Sequence, residues 1–332
     1  MGDRLWAVAV AVPFLVGTLV GPASAAPAAD VLFRFQDPEI VESSGLVATG
    51  GRFATVNDSG DTGRVFVVDG NSGRTVGVTT WSESPVDVEA LAPAGAGEVW
   101  VGDIGDNPKQ RSTIEVARVP LGDGARTVDP ATYSLTYPGG AVDAETLLHH
   151  PVSGRLYVAS KVVLGGTLYE APRRLSADRP NRLTEVGRVM SLATDGAFFP
   201  DGRHLVLRDY GRAVVYAFPS LQEVGSFDLP DVQQGEGIAV GDDGAVYVST
   251  EGRNSPVHRV PLPDSVAAAM AGDGPSEPAE PEGEETGSAP VSGEPVQQPD
   301  EFARERPAWP WFLTGWIGLA ALVGLAWVFR RR

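Results

Sequence analysis

The chain has 332 residues and a formal net charge of −17, from 43 acidic and 26 basic side chains. That excess argues against nucleic acid as a partner and against docking on anionic lipid. With no cysteine present, disulfides, thiolate metal sites and cysteine nucleophiles are excluded.

Residues 1–26 read as a secretory signal rather than an uncleaved anchor. Arg4 supplies the positive start, residues 5–20 form an apolar run, and Ala23-Ser24-Ala25 is a small-residue cleavage site.

Residues 31–263 are organised by a recurring phrase of one or two carboxylates, a small residue and an apolar run. It occurs as Glu42-Ser43-Ser44-Gly45-Leu46, Asp87-Val88-Glu89-Ala90-Leu91, Asp143-Ala144-Glu145-Thr146-Leu147, Asp195-Gly196-Ala197-Phe198 and Gly235-Glu236-Gly237-Ile238. Aligned on Ser44, Glu89, Glu145, Gly196 and Glu236, the copies are spaced by 45, 56, 51 and 40 residues. A period of this length with several short strands per unit marks a β-propeller.

Gly, Asp, Asn and Pro punctuation divides the first four units into four strands each. The expected strands are 45–48, 52–56, 64–68 and 75–79; then 90–92, 98–102, 113–119 and 133–137; then 146–149, 155–160, 167–171 and 183–189; then 197–199, 204–208, 213–218 and 223–228. The fifth unit offers only 237–240, 245–250 and 257–260. Val31-Leu32-Phe33-Arg34-Phe35 has no unit of its own, so it is expected to complete the last blade and leave no long free edge. The count is five blades, or six if the long second repeat hides another strand pair.

Residues 264–308 change character. Between Val266 and Ala303 lie nine acidic residues and no Lys or Arg, amid Pro, Gly and Ser. Such a stretch buries too little apolar surface to offset its ordering entropy, and reads as a disordered linker. Residues 309–329 are apolar or small, with Trp309, Trp311 and Trp327 near the ends, and 330–332 are all arginine. The run is long enough for one transmembrane helix, and the arginines set its cytoplasmic end. The expected protein is a single-pass cell-surface protein with an extracellular propeller and a basic cytoplasmic tail.

In a propeller the innermost strands start on the same face as the loops between second and third strands. That rim collects Glu42, Asp87, Glu89, Asp143, Glu145, Asp195 and Glu236 as candidate metal ligands. Asp58, Asp61, Asp103, Asp106, Asn107, Lys161, Arg208, Asp209 and Glu251, from the loops, are candidates for ligand binding. Crowded carboxylates must bind a cation, pair, share protons or stay hydrated. Oxygen donors without Cys or clustered His favour Ca²⁺ or Mg²⁺, and Ca²⁺ is the expected cofactor. The competing role is turn capping, in which the acids accept backbone N–H bonds. His149 and His150 fall at the opposite end of a blade. Neither Gly-x-Ser-x-Gly nor a phosphate-binding glycine loop occurs, so no catalytic residue is assigned.

As a set, Glu-Ser-Ser-Gly-Leu-Val, Asn-Asp-Ser-Gly-Asp, Asp-Val-Glu-Ala-Leu, Gly-Asp-Ile-Gly-Asp-Asn, Asp-Ala-Glu-Thr-Leu, Thr-Asp-Gly-Ala-Phe and Gln-Gly-Glu-Gly-Ile-Ala resemble secreted actinobacterial WD-repeat-like β-propeller proteins over residues 38–263. More distantly they are similar to the phytase-like, esterase-like propeller family, which implies calcium on the rim and a phosphoester substrate. A polyanionic substrate calls for basic residues, and this rim offers Lys161, Arg208 and Lys109. The first expectation is therefore an extracellular propeller that binds a ligand or protein partner at an acidic, Ca²⁺-loaded rim. A calcium-dependent phosphoester or ester hydrolase is the alternative, and a structural envelope module the third reading.

Overall fold

The structure, a computed structural model, describes residues 29–272 except Ser59 and Ala96. The expected signal segment, the linker beyond Gly272, the transmembrane run 309–329 and the tail 330–332 lie outside the described residues. Among the described residues no helix is long and apolar enough to cross a membrane.

Twenty-two strands form five sheets, the blades of a five-bladed propeller. β1 (Asp30–Arg34) precedes the first blade, which consists of β2 (Ser43–Thr49), β3 (Arg52–Asn57), β4 (Arg64–Asp69) and β5 (Thr75–Trp81). The second blade has β6 (Val88–Gly95), β7 (Glu98–Asp103), β8 (Ile114–Pro120) and β10 (Ala131–Thr136), with β9 (Gly124–Val128) interposed in the chain. The third has β11 (Ala144–His149), β12 (Leu156–Ser160), β13 (Gly166–Glu170) and β15 (Thr184–Val189), with the two-residue β14 (Asn181–Arg182) interposed. The fourth has β16 (Asp195–Phe198), β17 (His204–Arg208), β18 (Arg212–Ala217) and β19 (Glu223–Asp228). The fifth has β20 (Gly235–Val240), β21 (Val246–Thr250) and β22 (Pro256–Val260).

The first strand closes the last blade, as the sequence predicts. β1 runs antiparallel to β22, with Asp30 opposite Arg259 and Arg34 opposite Pro256. The extra strand of the long second repeat does not start a sixth blade. β9 crosses back and pairs parallel with β5 on the outer edge of the first blade. β14 does the same for the second blade, pairing with β10.

Alternation along each strand places apolar residues on both blade faces, and five wedges of core fill the five seams. Val47 and Val65 meet Leu91 and Val101 between blades one and two. Phe33 and Val257 meet Phe53 and Phe66 between blades five and one, with the Phe33 and Phe53 rings edge-on at 5.0 Å. The innermost strands come together so closely that side chains are excluded. A Cβ on Gly45 would lie 2.2 Å from the backbone nitrogen of Leu91, and one on Gly237 2.7 Å from the carbonyl oxygen of Ser44.

The stretch from 264, placed in the linker by composition, starts as a helix instead. α1 (Asp264–Gly272) has its acidic first residue at the favourable end of the helix dipole. Its Val266 is buried in the wedge with Val215 and Phe227, and packs where Gly225 lacks a side chain. Tertiary packing of one valine and Met270 overrides an unpromising composition.

Candidate functional site

The repeated carboxylates owe their placement to a shared irregularity. Each innermost strand pairs its first residue with the last of the second strand: Ser43 with Asn57, Val88 with Asp103, Ala144 with Ser160, Asp195 with Arg208 and Gly235 with Thr250. In four blades the inner strand then slips by one residue, and pairing resumes only at Leu46, Ala90, Thr146 and Ile238. The irregularity falls at Ser44, Glu89, Glu145 and Glu236. A bulge re-aims the side chain it carries, and here it brings three glutamates to one channel mouth. The fourth blade has no slip, since Gly196 pairs directly with Leu207.

A backbone clamp sets the surrounding loops. The N–H of Asp58 donates to the carbonyl of Glu42, that of Lys161 to Asp143 and that of Glu251 to Gln234. These are matching positions just after the second strand of blades one, three and five.

On one side of the mouth, carboxylate oxygens of Asp58, Asp87 and Glu89 lie within 4.8 Å of one another. Glu89 is 4 % exposed, and Ser44 Oγ lies 3.3 Å from its Oε2. Asp87 rests against the backbone of Gly105, where a Cβ would come within 2.4 Å of Oδ2. Beside Asp58 and Asp87 is a cavity of about 10 Å³, also lined by Asn57, Asp61 and Arg64, about the size of one water or ion. On the other side Lys161 is paired with Glu145, and its Nζ sits 5.2 Å from the centre of the Tyr210 ring. Glu236 is 7 % exposed.

Crowding makes these groups poor acids. Burial, then the charges of Glu145, Asp58 and Asp87, pushes the Glu89 carboxyl up to about 10. Burial raises Glu145 to about 8 against the pull of Lys161, and Glu236 to about 7. Burial and neighbouring Asp58 bring Asp87 to about 6. Glu251 is raised by burial and by Asp58 and Glu42. Burial works against the charge of Lys161, but the Glu145 carboxylate holds it protonated well above the usual lysine range.

The other sequence candidates are occupied elsewhere. Asp103 caps the entry to β6, accepting the N–H groups of Val86 and Asp87 at 2.8 and 2.9 Å, and pairs with Arg111 at 2.7 Å. Asn57 makes the equivalent cap in blade one, on Val41 and Glu42. Asp106 accepts from Gln110 and Arg111, Asp143 from the N–H of Asp106, and Asp209 from Gly211 and Arg212. Asp61 is held by Arg64 and Asn57. Asn107 and Glu42 are exposed.

Arg208 and Asp195 lie deeper. Arg208 is completely buried and donates to the carbonyls of Asp209, Tyr210 and Gly237, so its guanidinium is spent on backbone. Asp195 is also fully buried; its Oδ2 accepts the N–H groups of Ile238 at 2.8 Å and Leu46 at 3.3 Å. Both serve the channel and not the mouth. His150, at the opposite end, accepts the N–H groups of Val152 and Ser153 and packs on Phe198 and Phe218.

Three contributors escaped the sequence reading. Tyr210 faces Lys161, Ser44 Oγ approaches Glu89, and Arg111 pairs with Asp103. The available signal for Ser44 was its alignment with Glu89, Glu145 and Glu236. No protein-family model matches this chain, and no curated protein sequence matches it.

Proposed function

We propose that the protein is a binding module whose working face is the acidic channel mouth, and that a divalent cation, Ca²⁺ by its donors, sits among Asp58, Asp87 and Glu89. The observation that carries this reading is a buried glutamate, delivered by a strand bulge to within 4.8 Å of two further carboxylates while Lys161 faces Glu145. Oxygens about 4.8 Å apart are what an ion with metal–oxygen distances of about 2.4 Å holds on opposite sides. Hard oxygen donors select Ca²⁺ or Mg²⁺, and a bound ion would keep the three groups ionised.

The sequence pattern of 1–26 and 309–329 supports display of this face outside a membrane to which the chain is anchored. A second reading, a metal-dependent phosphoester or ester hydrolase, has one observation in its favour. Lys161 and Tyr210 stand together at the mouth, where a cation would stabilise developing negative charge on a substrate oxygen.

The test is a thermal melt of the full chain in chelator and again in millimolar Ca²⁺. A ligand at one hundred times its dissociation constant adds about 2.7 kcal/mol. The expected result is an upward shift that Glu89→Gln removes; no shift in the wild type would overturn the metal reading. Turnover of a generic phosphate or carboxylate ester, abolished by chelator and restored by Ca²⁺, would favour the hydrolase. Indifference to both would favour a structural role.

A further inference from the structure

The acidic mouth is set in an apolar collar. Among the described residues, the exposed large hydrophobic side chains include Val86 at 67 %, Val163 at 72 %, Leu164 at 88 % and Tyr210 at 41 %. All four stand in loops at the mouth end. Val86 precedes β6, Val163 and Leu164 lie between β12 and β13, and Tyr210 lies between β17 and β18. They come from three successive blades, so the collar is spread around the mouth and not gathered in one pocket. Apolar side chains exposed together around a polar centre mark a protein interface more than a small-molecule site.

Inside the collar the Glu236 carboxylate has no partner among the described residues. Glu236 is more than nine-tenths buried, and among the described residues its carboxylate accepts no hydrogen bond. Its charged surroundings are Lys161, Glu251, Arg208 and Asp58. Lys161 is already engaged by Glu145 and Arg208 by backbone carbonyls. Its oxygens stay open to the channel, where a donor arriving from outside can replace water. A cationic donor entering the mouth would meet Glu236 and Glu251 with Lys161 already engaged. A guanidinium or ammonium on a flexible stem is such a donor, and its apolar stem suits the collar.

We propose that the mouth face docks a protein partner which inserts one basic side chain, arginine or lysine, toward Glu236 and Glu251 and lays flanking apolar residues on Val86, Val163, Leu164 and Tyr210. The proposal shares with the preceding reading the mouth as a binding face, but does not need the metal ion. Tyr210 supplies the aromatic side chain that such interfaces favour as an anchor. The acidic residues of the mouth select for a basic partner.

The probe is a fluorescent peptide, Gly-Leu-Val-Arg-Val-Leu-Gly, titrated into the full chain in chelator. Two controls accompany it, one with citrulline in place of arginine and one with the four apolar residues replaced by glycine. The expected result is binding at least about tenfold tighter for the parent peptide than for either control. Glu236→Gln and the double variant Val163→Asp/Leu164→Asp are each expected to weaken it by about tenfold or more, with unchanged melting temperature for the exposed pair. Equal binding of the arginine and citrulline peptides, or no binding at millimolar concentration, overturns the proposal. So does undiminished binding by a folded Val163→Asp/Leu164→Asp chain. A parallel Ca²⁺ titration of the wild type reports on the metal reading alone, so the two ideas fail separately.

Discussion

Asp195 and Leu46 stand 149 residues apart in the chain, yet Oδ2 of Asp195 accepts the Leu46 N–H at 3.3 Å. The same oxygen takes the N–H of Ile238 at 2.8 Å. One side chain thereby joins the innermost strands of blades four, five and one. Its other oxygen, Oδ1, has no hydrogen-bond partner among the described residues, and complete burial raises its pKa well above the usual carboxylate value. Asp195 therefore ties the propeller's axis, and burial favours its protonated form.

Asp195→Asn keeps an acceptor for both N–H groups. It is expected to cost no more than about 1 kcal/mol in urea unfolding. Asp195→Ala strands two buried donors and is expected to cost about 2–3 kcal/mol. Equal losses would show that the two N–H bonds are not what the side chain contributes.

Stability should be greatest in mildly acidic solution. Glu236, Glu145 and Glu89 have folded-state values of about 7, about 8 and about 10, above those of free glutamate. A carboxyl raised in this way binds its proton more tightly when folded. Its contribution is complete below the free value near 4.5 and is lost as pH rises through the folded value. Asp201 works the other way. Although burial alone would raise it, the His204 hydrogen bond leaves it lowered, and its contribution is lost as pH falls. The melting temperature without metal should fall between pH 5.5 and pH 8, by about 4 °C or more. Ca²⁺ competes with protons for the same oxygens, so its affinity should rise over that interval. Calorimetric titrations at both pH values check the sign.

Lys161→Met should be tolerated in acid and harmful in base. It leaves Glu145, which is buried, without the ammonium that compensates it. The expected cost is about 2 kcal/mol at pH 9.5, above the folded value of about 8, and clearly less at pH 5.5, where Glu145 is protonated. Denaturant curves for the variant and wild type at the two pH values give the comparison.

Gly45→Ala tests how closely the innermost strands approach. The new methyl would sit 2.2 Å from the nitrogen of Leu91, which is backbone and cannot rotate away. A loss of about 3 kcal/mol is expected. A control at Gly95, where nothing stands within 4 Å but φ is 74°, should lose only the smaller cost of a left-handed alanine, about 1 kcal/mol.

The architecture was legible because propeller strands are short, alternate cleanly and are bounded by Gly, Asp and Pro. β17 and β19 have the bounds the pattern predicts, 204–208 and 223–228, and the closing role of 31–35 followed from one surplus strand and one missing. β9 and β14 were invisible because a parallel edge strand such as Gly124–Val128 has no periodicity of its own and gains order only from β5. At the mouth, the alignment of Glu89, Glu145 and Glu236 picks out the glutamates that the strand bulges carry. Sequence spacing could not separate these from Asp103 and Asp106, whose oxygens are spent on nearby N–H groups. That distinction depends on a one-residue slip of register, which no residue type announces. Arg208 misled for a related reason: a loop-facing position in sequence proved to be fully buried under backbone carbonyls.

The seam between β1 and β22 also sets an orientation. Arg34 and Pro256 lie together at the mouth end, and Asp30 and Arg259 at the other. The chain thus enters and leaves the closing sheet at the far pole of the toroid. A bead, a chip or a fused domain joined just before Asp30 would hold the propeller from behind and present the carboxylate funnel outward.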